Sequence, residues 1–472
     1  MSISGNTTSA AGIAANPDKI PGRVYGSFVA AGLLSLSGVV VETAMNVTFP
    51  TLMHLFKVST DTVQWLTTAN LLVIAVIVPL SAMLKARFRT KPLFITANLA
   101  FLAGTLLGAL APNFQTLLLA RVIQGVGAGI ALPLMFNIII ETAPPRKIGM
   151  MMGLGTLLTA VAPAIGPTFG GLVVSFTSWR VIFVCLIPIV LVSLVLGVMC
   201  IEQKSRIRQV HFDAIGIALI ALTFGALIYG FSSMTTKPLM SPNVAGAIVI
   251  GLISLVLLCM RELHVTSPII DIRTLKNLRF AGFALAFFLL QAVSLGLSFI
   301  LPNYLQLAGG AKPLVAGLLL LPGAAVGACF APLGGRILDA IGPKPPLIAG
   351  GACAIVSMAC LFVFGHGLSN AAVCGLYILY MLGIGMSSGN IMTTGLSHLE
   401  HGQQSMGNAI FNTAQQFAGA VGTSVAAAIL AAGQAAVPHD LALGTANGAT
   451  IAFGVLLAGL IIELIDVVRS LF

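Results

Sequence analysis

The sequence predicts an all-α polytopic membrane protein with fourteen transmembrane helices, and three observations lead there. Of its 472 residues, 58% are hydrophobic and 8% charged, where a soluble domain carries about 25% charge. Apolar runs of about 20 residues, the length needed to cross a hydrocarbon core, recur along the whole chain. The runs are continuously apolar. Barrel strands would alternate polar and apolar positions over about 10 residues, so the spans are helices, which satisfy their own backbone hydrogen bonds in lipid.

In order, the spans fall near 26–49, 62–84, 93–111, 114–140, 148–174, 181–201, 213–233, 243–262, 280–303, 315–335, 347–365, 371–396, 406–430 and 447–467. An even number puts both ends on one side. With both termini inside, eighteen of the 23 Lys and Arg residues fall in inner segments, and only Lys57, Arg180, Lys237 and Lys312 fall in outer ones. Arg121 lies within a span. This asymmetry obeys the positive-inside rule. It accounts for the net charge of +10 and places both termini in the cytoplasm of a cell-membrane protein. A nucleic-acid partner would need a clustered basic face on a soluble element, and none is present in the pattern. The first residues are polar, without the apolar core of a signal peptide, and read as a cytoplasmic tail over 1–25. The seven cysteines (Cys185, Cys200, Cys259, Cys329, Cys353, Cys360 and Cys374) form no CxxC pair. They read as small core residues rather than as disulfides or metal ligands.

The chain repeats itself. PLSAMLKARFRTKPLFI (79–95) and PLGGRILDAIGPKPPLI (332–348) align without gaps, and Pro79/Pro332, Leu80/Leu333, Lys91/Lys344, Pro92/Pro345 and Ile95/Ile348 are identical. Internal repeats of this kind mark secondary transporters whose substrate path runs between two halves. The expected organisation is a six-helix bundle over 26–201, two additional helices with their loops over 202–279, and a second six-helix bundle over 280–472.

GVVVETAMNVTFP (38–50) places Glu42 inside the first span, where a charge costs about 2.5–3.5 kcal/mol on insertion scales. It reads as the one deep acid, either a transport residue or a structural carboxyl bonded within the bundle. Arg121 reads as the one deep base. Each lies seven residues from the outer end of its span, about 10 Å below the surface. Burial and a nearby cation act on a carboxyl's proton affinity in opposite senses, so the two suit proton exchange as well as a static ion pair. GVGAG (125–129) is no nucleotide loop, because it sits inside an apolar helix; Gly125 and Gly129 form a small-xxx-small packing face. No GxxxxGK[ST] motif occurs. The expected energy source is therefore an ion gradient, with no cofactor and no metal.

GLGTLLTAVAPAIGPTFGGLV (153–173), rich in glycine and proline, fits a kinked, closely packed fifth span. Asn408, Asn412, Gln415 and Gln416 share one face of span 13, suiting a water-accessible cavity or interhelical hydrogen bonding equally. His398, Glu400 and His401 read as solvated loop residues rather than a metal site. No set of catalytic groups converges, so an enzyme is not expected.

RVIQGVGAG resembles the span-4 motif of the major facilitator superfamily, Arg-x-x-Gln-Gly-x-Gly, with Arg121 and Gln124 in place. Gly153, Ala162, Gly166, Pro167, Gly170 and Gly171 resemble the span-5 antiporter motif, Ala162 replacing one family glycine. Gly335, Asp339, Gly342 and Lys344 resemble the loop motif of the second half. In the first-half copy, Ala82, Ala86 and Arg89 stand where the family commonly has Gly, Asp and Gly. VETAMNVTFP, VQWLTTANLL, RFRTKPLF and GNAIFNTAQQFAGAVGT are similar to the fourteen-span drug:proton antiporters, the lincomycin-resistance type above all. The resemblance implies two six-helix bundles plus two linker helices and proton-coupled efflux of amphipathic or cationic small molecules by a monomer. It assigns Glu42 and Arg121 to proton coupling. Asn70, Gln124, Asn137 and the span-13 amides would line the cavity. A dedicated exporter of one metabolite or lipid, or a non-transporting sensor on the same scaffold, are the alternatives.

Overall fold

The computed structural model describes residues 20–58, 60–203, 213–233, 241–265, 268–311 and 313–471. Its α-helices are α1 (Gly22–Phe56), α2 (Thr60–Arg87), α3 (Thr90–Ala109), α4 (Phe114–Thr142), α5 (Ile148–Phe176), α6 (Arg180–Cys200), α7 (Ala214–Ser233), α8 (Pro242–His264), α9 (Leu278–Asn303), α10 (Pro313–Ile341), α11 (Lys344–Phe364), α12 (Asn370–Ser397), α13 (Gln404–Ala436) and α14 (Leu441–Leu471). Short 3₁₀ turns cover Pro145–Lys147 and Ile272–Lys276, and a π-helical turn covers Tyr304–Ala308 after Pro302. The tail expected over 1–25 lies outside the described residues up to position 19.

Twelve helices among the described residues are long and apolar enough to cross a membrane. The other two are α2 and α5. α2 holds a shorter apolar stretch, Trp65–Ser81, between polar ends that include Lys85 and Arg87. Length and apolarity over the described residues thus account for twelve of the fourteen expected spans. Several helices also outrun the expected spans: α1 has 35 residues, α13 33 and α14 31. Hydropathy detects the lipid-facing part of a helix and misses turns that continue past it.

The helix contacts repeat with a shift of eight. α1 packs on α5 and α6, α3 on α4 and α6, and α2 on α4; in the same way α9 packs on α13 and α14, α11 on α12 and α14, and α10 on α12. The sets join along two seams, α5 against α10 and α12, and α13 against α2 and α4. α7 and α8 pair with each other, and α7 leans on α2 and α13.

Both described chain ends lie on one face. Ser27 Oγ donates to the Cys200 carbonyl at 2.8 Å, so α1 starts beside the end of α6. Lys85, at the end of α2, pairs with Glu141 at the end of α4. Leu471 shares a cleft of about 480 Å³ with Ile341, Lys344 and His398, and Asn277 Nδ2 donates to the His398 carbonyl at 2.9 Å. We call this the terminal face.

Candidate transport site

Glycines set how closely α1 approaches its neighbours around Glu42. A Cβ on Gly38 would lie 3.0 Å from Ala128 of α4. On α5, a Cβ on Gly166 would strike Thr43, and one on Gly170 would come 2.6 Å from the Ala44 carbonyl. Thr43 and Ala44 directly follow Glu42, so two glycines of the span-5 motif seat the helix turn that carries the acid. The side chain of Pro167 lies outside the described residues. The GVGAG face behaves as a packing face: Cβ atoms on Gly125 and Gly129 would come 2.9 Å from Val73 and 2.8 Å from Ile77 of α2.

Arg121 is fully buried and fully caged. Its Nη1 donates to Gln124 Oε1 at 2.8 Å, Nη2 to Asn70 Oδ1 at 3.2 Å, and Nε to the Leu66 carbonyl at 3.3 Å. Asn70 Nδ2 returns a bond to the Arg121 carbonyl at 2.8 Å. Gln124 Nε2 donates to Thr105 Oγ1 of α3 at 3.0 Å. One network thus fixes the guanidinium among α2, α3 and α4. Glu42 is half-buried. It and Arg121 interact electrostatically, but no salt bridge joins them.

The other sequence-predicted amides separate into two groups. Asn70 and Gln124 are spent on Arg121. Asn137, Asn408 and Asn412 are buried in a second network: Asn408 Nδ2 donates to Asn137 Oδ1 at 2.9 Å and to the Pro133 carbonyl at 3.0 Å. Asn412 Nδ2 donates to Asn408 Oδ1 at 2.8 Å. In this conformation Asn408 bonds across the α4–α13 seam to Asn137, and Asn412 bonds to Asn408 within α13, all three being buried. Gln415 and Gln416 remain half-exposed.

The loop motif of the second half meets the antiporter motif of the first. Gly149 and Met150, in the first turn of α5, donate their N–H groups to Oδ1 and Oδ2 of Asp339, each at 3.0 Å. A carboxylate at a helix N-terminus satisfies orphan donors and the helix dipole together. The fit needs glycine: a Cβ on Gly335 would run into the Gly149 carbonyl, and one on Gly153 into the Ala331 carbonyl. Gly342 ends α10 with φ of 90°, a left-handed conformation that glycine adopts without steric cost. Lys344 opens α11, and Gly171 is half-buried on α5.

Sequence reading missed several buried polar groups. Glu42 is not the only deep acid: Glu463 is 2% exposed, because α14 continues to Leu471 and packs this turn against α9. Glu262 is also buried. Arg121 is not the only buried base, since Lys85 is buried with Glu141 as its partner. Thr105, which holds Gln124, gives no sequence signal beyond a hydroxyl in an apolar run.

The helix arrangement and the caged Arg121 of the span-4 motif agree with comparison to known proteins. The model of the Major Facilitator Superfamily matches residues 31–423. The chain belongs to the major facilitator superfamily. Within it, the chain is 35% identical over 460 residues to the lincomycin resistance protein LmrB of Listeria monocytogenes, covering 96% of each chain. It is 28% identical over 426 residues to the multidrug resistance protein B homolog of Mycobacterium tuberculosis, covering 86% of this chain and 78% of that one. The superfamily proton:xylose symporter XylE superposes with a TM-score of 0.63 over 94% of this chain and 95% of its own, at 16% identity, which shows the fold. This major facilitator protein is an integral membrane transporter by family and by its apolar helices.

Proposed function

We propose that the protein is a proton-coupled drug exporter of the plasma membrane, a drug:proton antiporter that works by alternating access. One observation carries the reading: Glu42 sits half-buried in α1, electrostatically coupled to the caged Arg121, where the span-5 glycines press α5 onto the same turn. A carboxyl held beside a fixed buried cation, without a salt bridge to neutralise it permanently, suits cycles of proton binding and release. The relatives named for lincomycin resistance and multidrug resistance support drugs as cargo, and amphipathic or cationic small molecules are the class proposed.

In this mechanism the units 26–201 and 280–472 rock against each other, with 202–279 supplying two added helices and fourteen spans in all. The terminal face is cytoplasmic. The Asp339 clasp and the Asn408–Asn137 contact both lie near that face, which supports a conformation closed to the cytoplasm. Opening it would free Asn137, Asn408 and Asn412 toward cargo, joining Gln415 and Gln416. Protonation of Glu42 from the outside then releases cargo. No cofactor is required, and the monomer is the working unit.

The test is gradient-driven dye efflux in inverted vesicles, wild type beside Glu42→Gln. The variant is expected to lose gradient-driven transport while still binding cargo. Full gradient-coupled transport by Glu42→Gln would sink the mechanism, and no transport of any member of a broad compound panel would favour a dedicated exporter or a sensor.

A further inference from the structure

The last helix carries a buried acid that the mechanism above does not use. Glu463 is 2% exposed and its Oε2 has no hydrogen-bond partner. Asp466, three residues on, has an unpartnered Oδ2, and Ser470 is buried. Spacings of three and four residues put these side chains on one face of α14. That face is turned to α9. A Cβ on Gly282 would meet Ser470 and lie 3.3 Å from Asp466 Oδ1, while deeper in the bundle a Cβ on Gly459 would lie 3.1 Å from Val293. Glu463 stands between these two levels.

Tyr380 of α12 extends the file inward. It is fully buried, it interacts electrostatically with Glu463, and its hydroxyl lies near Ser294 of α9 without completing a hydrogen bond. Ser294 is half-buried. Ser470, Asp466 and Glu463 thus lead inward along α14 from the terminal face, and Tyr380 and Ser294 add polar groups from α12 and α9 within packing that is otherwise apolar.

The surroundings offer Glu463 little permanent neutralisation. Arg469 acts on Asp466 near the end of α14. α9 carries only Arg279, in its first turn, and α11 only Lys344, at its first residue. α13 has no charged residue, the π-helical turn brings Tyr304, and Tyr377 stacks on Tyr380 with ring centroids 6.4 Å apart. An unpartnered carboxyl and an unpartnered hydroxyl in one apolar seam cost stability, and ionisable groups kept in such places mark proton or ion paths.

We propose that Glu463 is a second proton-carrying carboxyl, loaded from the terminal face by way of Ser470 and Asp466 and facing Tyr380 inward. Each transfer breaks an O–H bond at Asp466 and forms one at Glu463, and unloading reverses it; solvent on the terminal face is the source and the sink. The proposal rests on the proton-coupled reading of the transporter and adds a site to it in the second half.

Infrared difference spectroscopy of the full-length protein in lipid, between high and low pH and with exchange into heavy water, tests it without any cargo. Wild type is expected to show a carboxylic C=O band that shifts on deuteration. Glu463→Gln removes that band, and Glu42→Gln leaves it. Tyr380→Phe changes its frequency, and Asp466→Asn slows its isotope shift severalfold; these two variants carry the test should Glu463→Gln not fold. In vesicles, Glu463→Gln lowers gradient-driven efflux severalfold while cargo exchange without a gradient persists. A difference spectrum left unchanged by Glu463→Gln overturns the proposal, as does undiminished gradient-driven efflux in that variant. Failure of the proton-coupled reading itself shows separately, as full gradient-driven efflux by Glu42→Gln.

Discussion

Arg121 shows how a single charge is made tolerable inside a membrane protein. Its three guanidinium bonds go to Gln124, Asn70 and the Leu66 carbonyl, and a buried cation needs such partners because an unpaired one is prohibitively costly. Asn70 bonds it twice, through side chain and backbone. Asn70→Ala leaves those groups unsatisfied and is expected to destabilise the protein by about 1–3 kcal/mol, read as lowered resistance to thermal unfolding in detergent. Stability equal to wild type would mean that water replaces the amide. The prominence of Arg121 was visible in the sequence, since a lone base in RVIQGVGAG stands out from its apolar surroundings. Its cage was not, because Asn70 lies 51 positions away and Thr105 looks like any hydroxyl.

Helix contacts carry the next layer of the design. α5 meets α10 through the Asp339 clasp and through glycines whose replacement would drive side chains into backbone. Gly335→Val is expected to wedge this seam open, speeding hydrogen exchange of the α5 amides at Gly149 and Met150; unchanged exchange would show that the seam tolerates the bulk. Asp213, just before α7, accepts Arg261 Nη2 at 2.7 Å and Nε at 2.9 Å. That guanidinium holds the Asp213 carboxyl below its ordinary range. A carboxyl depressed on folding stabilises the fold above its unfolded value, about 3.9, and loses that contribution as pH falls through the lower folded value. Asp213→Asn should therefore loosen the α7–α8 pair at neutral pH and flatten its response to acid. Limited proteolysis of the 241–265 segment against pH measures this, and a variant as acid-sensitive as wild type would contradict it. The motif residues were readable, but Asp339 reaches an amide 190 residues away, and no local pattern announces that meeting.

Across the whole molecule, the helix contacts recur with a shift of eight, as the aligned segments 79–95 and 332–348 suggested. The two seams between the sets are the surfaces that the proposed alternating access would open and close. The sidedness of the terminal face is directly testable. Gly402→Cys, exposed between α12 and α13, is expected to react with a membrane-impermeant thiol reagent in inverted vesicles and not in right-side-out ones, above the wild-type background. Lys57→Cys, exposed after α1, should show the reverse. Exchange of these two results would invert the topology and reassign which face the Asp339 clasp closes.

Composition and motif spacing were enough to reveal a helical membrane protein, its family likeness and the small-residue face of GVGAG, and to single out Glu42 and Arg121 as candidates, because periodicity, apolar length and isolated charges are local properties. Burial and partnership are not local. Packing of α14 on α9 turned Glu463 from a residue near a helix end into a deep acid, and the α4–α13 seam turned Asn137, Asn408 and Asn412 from expected cavity amides into a bonded cluster. Those outcomes depend on which helices meet and at what height, which the linear order of residues does not encode in any short window.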